Sequence, residues 1–282
     1  MNKKIFKRLA LVVSVGLALA ATSAGVQANH AWGDYHWART TPQFTLKLGN
    51  NLTSADWKSH LSSSSASWNS GGTPLLTSIV AGTSNKRCGM VVGTTQVCNG
   101  TYGNNGWLGL ASINLSGSHI TQGTAKMNDT YFNTATYNNT NEREHVMCQE
   151  VAHTFGLGHQ SEDGSSQNSC MDYFSNTGAN AGSSVSTKPN QHDFDMLKSI
   201  YAHLDSSTTA ASFGNVMESA ASADADIGDD PNSWGSLVKQ SANGRSSVYE
   251  RQNMNGSKTI THVFWTIEAA ARCKSCDHRH GL

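Results

Sequence analysis

The sequence predicts an α/β (α+β) fold, in which strands and helices are mixed along one main domain. Residues 44–48 alternate apolar and polar side chains, as a half-buried strand does. Residues 75–81 are rich in Leu, Ile and Val, which also favours a strand. Residues 142–155 show helical spacing, with Gln149 and His153 on one face. These three segments are the basis of the fold-class prediction.

The other elements follow from capping and breaking signals. A helix is predicted at 54–68, because Ser and Asp residues at its start can cap it and a Gly pair follows its end. Strands are predicted at 106–113 and 120–127. A further helix is expected at 190–204, directly after Pro189.

The first 28 residues are predicted to be a secretory signal peptide. Four basic residues precede an apolar run at 9–21, and Val26-Gln27-Ala28 offers small residues at the two positions that a signal peptidase recognises. The apolar run is too short to span a membrane. We therefore expect a secreted protein, extracellular or periplasmic after cleavage, without a membrane anchor.

The composition changes beyond the main domain, which we place at 29–205. Residues 206–232 are rich in Ala, Ser, Asp and Thr, which is typical of a linker. Residues 233–282 hold strand-like segments separated by two Asn-Gly pairs, which favour hairpin turns, and end in a Cys/His tail. A small β region is predicted there.

The charge balance argues against nucleic acid as a partner. Removing residues 1–28 removes four of the 20 Lys and Arg residues and none of the 20 Asp and Glu residues, which leaves a net charge of −4. Only 14% of all residues are charged, against about 25% in typical soluble domains. A basic surface of the kind that binds phosphates is not expected. The oligomeric state is open, with a monomer expected.

Six cysteines in an exported chain favour disulfides. Fifteen pairings are possible, and pairing nearest neighbours gives Cys88–Cys98, Cys148–Cys170 and Cys273–Cys276. The last two cysteines, with His278 and His280, could instead bind a metal or act in redox exchange. A local disulfide or a frayed chain end is the preferred interpretation, because the cluster lacks zinc-finger spacing.

The segment with the clearest chemistry contains Glu150, His153, Gly156 and His159. Ligands four residues apart on one helix face can reach a single zinc ion, and a Glu beside the first ligand can take a proton from water. A glycine then lets the chain leave the helix sharply, so that a third ligand returns to the ion. The spacing in this chain satisfies these requirements from Glu150 onward.

This segment resembles the metzincin pattern His-Glu-x-x-His-x-x-Gly-x-x-His, with Gln149 in place of the first His. Residues 169–173 resemble the metzincin Met-turn, with Met171 as its methionine and Tyr173 two residues later. Over roughly residues 32–205 the chain is similar to exported matrixin-like proteins that carry Gln at this position. The segments that carry this likeness are 35–39, 102–109, 147–150 and 189–193.

The resemblance implies a secreted zinc endopeptidase with a twisted mixed sheet, a long active-site helix, a Met-turn and a C-terminal helix. Zinc would be held by Gln149, His153 and His159. Glu150 would be the general base and Tyr173 would steady the oxyanion. A protein or peptide substrate would pair with an edge strand that contains Trp107, Leu108, Gly109, Leu110 and Ala111.

Gln149 leaves three outcomes open, because an amide oxygen is a weaker zinc ligand than imidazole. Gln149 could bind weakly, the ion could rest on His153, His159, Tyr173 and water, or the site could be empty. The last outcome would make the chain a catalytically inactive metzincin-like binding protein. His145 cannot replace the missing ligand in a regular helix, because it lies eight residues before His153, about 12 Å along the axis. It is expected to be a helix-surface histidine.

Overall fold

The computed structural model describes residues 30–83, 88–211, 230–272 and 274–280. The predicted signal peptide, positions 212–229 of the predicted linker and Cys273 lie outside the described residues. The described chain contains nine strands and five α-helices. The strands are β1 (His36–Trp37), β2 (Phe44–Asn51), β3 (Leu75–Ala81), β4 (Thr94–Gly100), β5 (Trp107–Ser116), β6 (His119–Asn128), β7 (Ser236–Gln240), β8 (Ser246–Gln252) and β9 (Lys258–Trp265). The helices are α1 (Ala55–Asn69), α2 (Asp129–Phe132), α3 (Thr140–His153), α4 (Gln191–Ile200) and α5 (Ile267–Arg272).

The predicted α/β class is confirmed, because the strands form one mixed sheet with helices packed on it. The strand order is β3-β2-β4-β6-β5-β9-β8-β7, and β1 pairs with the start of β6. Strands β3, β2, β4 and β6 run parallel, whereas β5, β9, β8 and β7 join through antiparallel pairs. Helix α3 packs against β5, β6 and α1, so the predicted active-site helix lies over the centre of the sheet.

The C-terminal strands extend this same sheet. The two Asn-Gly pairs form the predicted turns, with Gly244 between β7 and β8 and Gly256 between β8 and β9, both at positive φ. Strand β9 then pairs with β5 along eight residue positions, from Trp107–Trp265 to Leu115–Lys258. The sequence predicted strand-like segments here but carried no signal for the strand with which they pair.

One prediction is wrong as a consequence. The stretch from Trp107 to Ala111, including Leu108, Gly109 and Leu110, is not a free edge strand, because β6 pairs with one side of β5 and β9 with the other. The backbone groups that a substrate would use are already hydrogen-bonded within the chain. An extended peptide therefore cannot add to β5 in this structure.

Two predicted disulfides are confirmed, Cys88–Cys98 and Cys148–Cys170. The second joins α3 to the turn at 169–173. The Cys273–Cys276 pairing stays a prediction, because Cys273 lies outside the described residues. Among the described residues, no helix is both long and apolar enough to cross a membrane.

Candidate metal centre

Helix α3 places the first part of the motif at 149–159 in the centre of the protein. The Asn139 side chain caps its first turn by accepting from the Glu142 backbone N–H. The helix ends at His153, and Gly156 follows at a φ of +95°. A side chain at Gly156 would place its Cβ 2.1 Å from the carbonyl oxygen of Tyr35, so only glycine fits this exit. The loop then brings His159 back toward His153, with ring centroids 4.6 Å apart.

A third imidazole joins them from β9. The ring centroid of His262 lies 3.8 Å from that of His153 and 4.5 Å from that of His159. One ligand atom from each of the three residues lies within 4.8 Å of the others. All three side chains are almost completely buried. Sequence analysis missed His262, which stands 103 residues beyond His159 and outside any recognisable motif.

Each ring has one nitrogen held by the protein and one without a hydrogen-bond partner. His153 Nδ1 donates to the Leu157 carbonyl at 2.7 Å. His159 Nδ1 lies 2.5 Å from the Tyr173 hydroxyl, and His262 Nε2 lies 3.1 Å from Ser246 Oγ. The opposite atoms, Nε2 of His153, Nε2 of His159 and Nδ1 of His262, are buried and unpartnered. Outer contacts of this kind orient metal-binding histidines.

Burial also sets the charge state of the three rings. It lowers the pKa of His153 to about 4, with a smaller opposing effect from the bond to Leu157. It lowers the pKa values of His159 and His262 well below their usual range, and neighbouring imidazoles act in the same direction. Neutral rings present lone pairs, which is the form that binds a metal ion.

Glu150 lies beside this cluster with both carboxylate oxygens buried and unpartnered. Its Oε2 is 3.7 Å from His262 Nδ1. Burial raises the pKa of the Glu150 carboxyl well above its usual range. Strand β5 passes close above it, since a Cβ at Gly109 would lie 2.4 Å from Glu150 Oε1. The glycine therefore makes room for the carboxylate.

Gln149 is anchored to the turn that follows the motif. Its Nε2 donates to the carbonyl oxygens of Cys170 and Asp172, at 2.9 and 2.8 Å. Its Oε1 is buried and has no hydrogen-bond partner. His145 is not the surface histidine that was expected. It is fully buried, with Nδ1 3.1 Å from Asn176 Oδ1 and Nε2 3.1 Å from the Asp172 carbonyl, because the turn folds over this part of α3.

The turn at 169–173 is packed against both the motif and β9. Met171 is fully buried in the main apolar core, where its backbone N–H donates to Ser169 Oγ. The Tyr173 ring stacks on Phe264 of β9, with centroids 5.6 Å apart. Its hydroxyl is engaged with His159, so in this structure Tyr173 supports a ring of the cluster. Its role at an oxyanion stays a prediction.

The three histidines and Glu150 form a set of side chains that suits a zinc ion. Three neutral imidazole nitrogens with an open side are the donor set of catalytic zinc sites. The Glu150 carboxylate, which has no hydrogen-bond partner, lies beside this donor set, where a general base would be needed. A cavity of about 300 Å³ reaches the three histidines and is also lined by Trp32, Tyr35 and Lys239. A small part of a larger substrate could enter there.

Comparisons with known proteins do not assign a family. No protein-family model and no curated protein matches the chain. Among solved structures, the chain is similar to high choriolytic enzyme 1, a hatching enzyme zinc-protease from Oryzias latipes (medaka). That match has a TM-score of 0.33 and 12% sequence identity, over 59% of this chain and 94% of that chain. A likeness this weak carries no weight for fold or function.

Proposed function

We propose that this protein is a zinc-dependent peptidase whose ion is held by His153, His159 and His262. The observation that carries the proposal is a cluster of three buried imidazoles, with one ligand atom of each within 4.8 Å of the others, in which every ring has one nitrogen without a hydrogen-bond partner. Beside the cluster lies the Glu150 carboxylate, which also has no hydrogen-bond partner. Leaving such groups buried and unpaired costs about 1–3 kcal/mol each. A bound cation removes that cost. His262 supplies the imidazole that Gln149 does not, and the Gln149 amide serves mainly to hold α3 against the turn.

In the proposed hydrolysis, separate side chains and backbone groups of the protein transfer the proton and orient the metal ligands. A zinc ion held by His153, His159 and His262 would polarise the substrate carbonyl and lower the pKa of a water molecule. Glu150 takes the proton of the attacking water and returns it to the leaving amine. The Leu157 carbonyl, the Tyr173 hydroxyl and Ser246 Oγ keep the three rings in their orientations.

The substrate is a protein or peptide that reaches the site through the cavity beside Trp32 and Tyr35. It does not add to β5, because β9 occupies that position along its length. The cavity is at the small end of ligand pockets, so it admits a short stretch of chain. The two disulfides support export to an oxidising compartment.

A second candidate function is a metal-holding binding protein without catalysis. The pairing of β9 with β5 favours it, because this pairing removes the edge on which an extended substrate was expected to lie. The two candidates share the metal site and differ in whether peptide bonds are cleaved. Their separation therefore requires both metal content and activity.

The test is His262→Ala, measured for zinc affinity by competition with a chromophoric chelator and for cleavage of casein. We expect the affinity to fall by about 100-fold or more, because even partners outside the ligand set are worth 10–100-fold. Cleavage should fall with it. His60→Ala is the matched control, since His60 is also buried but lies away from the cluster, paired with Glu144.

The opposite result would identify a different role for β9. If His262→Ala kept its zinc and cleaved casein faster, His262 would be an inhibitory occupant of the site. Zinc retention without a change in cleavage would remove His262 from the ligand set. Zinc bound to the wild-type chain without cleavage of any protein substrate would favour the binding protein.

A further inference from the structure

A second group of metal-ligand side chains lies next to the site just described, and one member, His30, lines the same cavity. His30 precedes β1, and His192 and Asp193 stand in the first turn of α4. One ligand atom from each lies within 4.8 Å of the others. His30 and Asp193 are buried, and the rings of His30 and His192 stack with centroids 4.8 Å apart. None of the three was singled out from the sequence as a metal ligand.

Each of these residues has a buried polar atom without a hydrogen-bond partner. These atoms are His30 Nε2, His192 Nδ1 and Asp193 Oδ1. The distance between His30 Nε2 and Asp193 Oδ1 is 3.6 Å, too long for a hydrogen bond. Two ligands at about 2.0–2.1 Å from one zinc ion in tetrahedral geometry lie roughly 3.4 Å apart. The observed spacing is therefore close to that of two ligands of one ion.

The remaining atoms of two of these side chains are held in place by the protein. His30 Nδ1 contacts the Gly158 carbonyl at 3.2 Å, which directs Nε2 toward Asp193. Asp193 Oδ2 accepts from Ser169 Oγ at 2.6 Å and from the Asn190 backbone N–H at 2.7 Å. These bonds leave Oδ1 as the free oxygen. The group thus has the outer contacts that fix metal ligands, on both the imidazole and the carboxylate.

The location ties this group to four parts of the fold. Gly158 is the neighbour of His159, and Ser169 belongs to the turn that contains Met171. The Gly158 backbone N–H also donates to the His30 carbonyl at 2.5 Å. An ion at this group would fasten the segment before β1 to the loop of the first site, to the turn and to α4.

We propose that His30, His192 and Asp193 form a second site for a divalent metal, with Zn²⁺ as the ion. Two imidazoles and one carboxylate are a donor set that zinc uses. Calcium and magnesium prefer sets made of oxygen alone. The role of this ion is structural, because the site holds separate segments together. The proposal does not depend on the catalytic one, since no ligand is shared.

The test counts zinc ions in dialysed full-length protein by mass spectrometry. The wild-type chain should hold two, and His30→Ala and the isosteric Asp193→Asn should each hold one. His153→Ala should also hold one, lost from the other site, and the His30→Ala/His153→Ala pair should hold none. His60→Ala, a histidine outside both groups, should hold two. Far-UV circular dichroism checks that each variant is folded.

A second measurement uses zinc added back to the metal-free protein. Thermal unfolding of the wild type should show a larger rise in Tm than that of Asp193→Asn, because one stabilising ion is missing in the variant. The rise in Tm is measured independently of catalytic activity.

The stoichiometries also separate the two proposals. If the wild type held one zinc, retained it in Asp193→Asn and lost it in His153→Ala, the second site would be refuted. If that single zinc were lost in Asp193→Asn and retained in His153→Ala, the second site would stand and the proposed catalytic site would fail. Two zinc ions retained in both His30→Ala and Asp193→Asn would place the second ion elsewhere and overturn the assignment.

Discussion

At the scale of single residues, Glu150 is the general base of the proposed mechanism. Its carboxylate is fully buried, lacks a hydrogen-bond partner and faces His262 Nδ1 at 3.7 Å. A buried carboxylate with a raised pKa is a stronger base than one in water, and it serves as base and then as acid within one reaction. Burial lowers the pKa values of the neighbouring imidazoles, so in the proposed site they would serve as neutral ligands and proton transfer would fall to Glu150.

Glu150→Gln is therefore expected to abolish cleavage while leaving the zinc content of the protein unchanged. The amide is nearly the same size as the carboxylate but cannot accept a proton, and general bases contribute about 10²–10⁴-fold to rate. The measurement is casein cleavage with zinc determined on the same sample. Normal cleavage by this variant would mean that another group is the base. Loss of zinc together with activity would indicate that Glu150 helps to hold the ion.

At the scale of elements, the sequence was most informative where one segment carries its own pattern. The spacing of Glu150, His153, Gly156 and His159 on α3 and its loop was readable, as were β3 and the turns at Gly244 and Gly256. Predictions failed where partners are distant in the chain. The position of His262 depends on β9 pairing with β5, and strand alternation gives no information about the partner strand.

Strand β4 shows a second limit of sequence analysis. Its residues are mostly polar, yet six of the seven are buried, between β2 and β6. The Gln96 side chain there donates to Thr94 and accepts from Asn51, so polar groups satisfy each other inside the sheet. Hydrophobic periodicity cannot detect a buried strand whose side chains are polar and form hydrogen bonds with one another.

The close approach of α3 and β5 gives an element-scale prediction. Gly109→Ala would place a Cβ 2.4 Å from Glu150 Oε1 and 2.7 Å from Val146 Cγ1. We expect cleavage to fall at least tenfold and the free energy of unfolding to fall by about 1–3 kcal/mol, because the helix must move or the carboxylate must turn away. Zinc should remain bound, since the imidazoles are not touched.

The control for that variant is Gly182→Ala, where no atom lies within 4 Å of the new Cβ. It should match the wild type in kcat, in zinc content and in urea unfolding. If Gly109→Ala also behaved like the wild type, β5 and α3 would be farther apart than described.

At the scale of the whole molecule, the strands beyond the predicted linker are built into the main domain. Trp234 and Trp265 share an apolar cluster with Trp107 of β5. The Tyr137 hydroxyl, from the segment before α3, donates to Glu268 of α5 at 2.6 Å. Arg245 is largely buried, with its guanidinium 4.7 Å from the centroid of Phe264. The sheet, the apolar core and the proposed first metal site therefore all contain residues from both sides of the predicted linker.

A chain cut by a specific protease at a site introduced within positions 212–229 should stay together. The two fragments should co-elute in size-exclusion chromatography and keep the zinc of the first site, because β9 remains paired with β5 and His262 remains beside His153. They should separate in denaturant, since both described disulfides lie on the N-terminal side of the cut. Casein cleavage should match that of the uncut chain. Release of the C-terminal fragment with a rise in cleavage would instead make β9 an occupant of the substrate groove that restrains the enzyme until proteolysis.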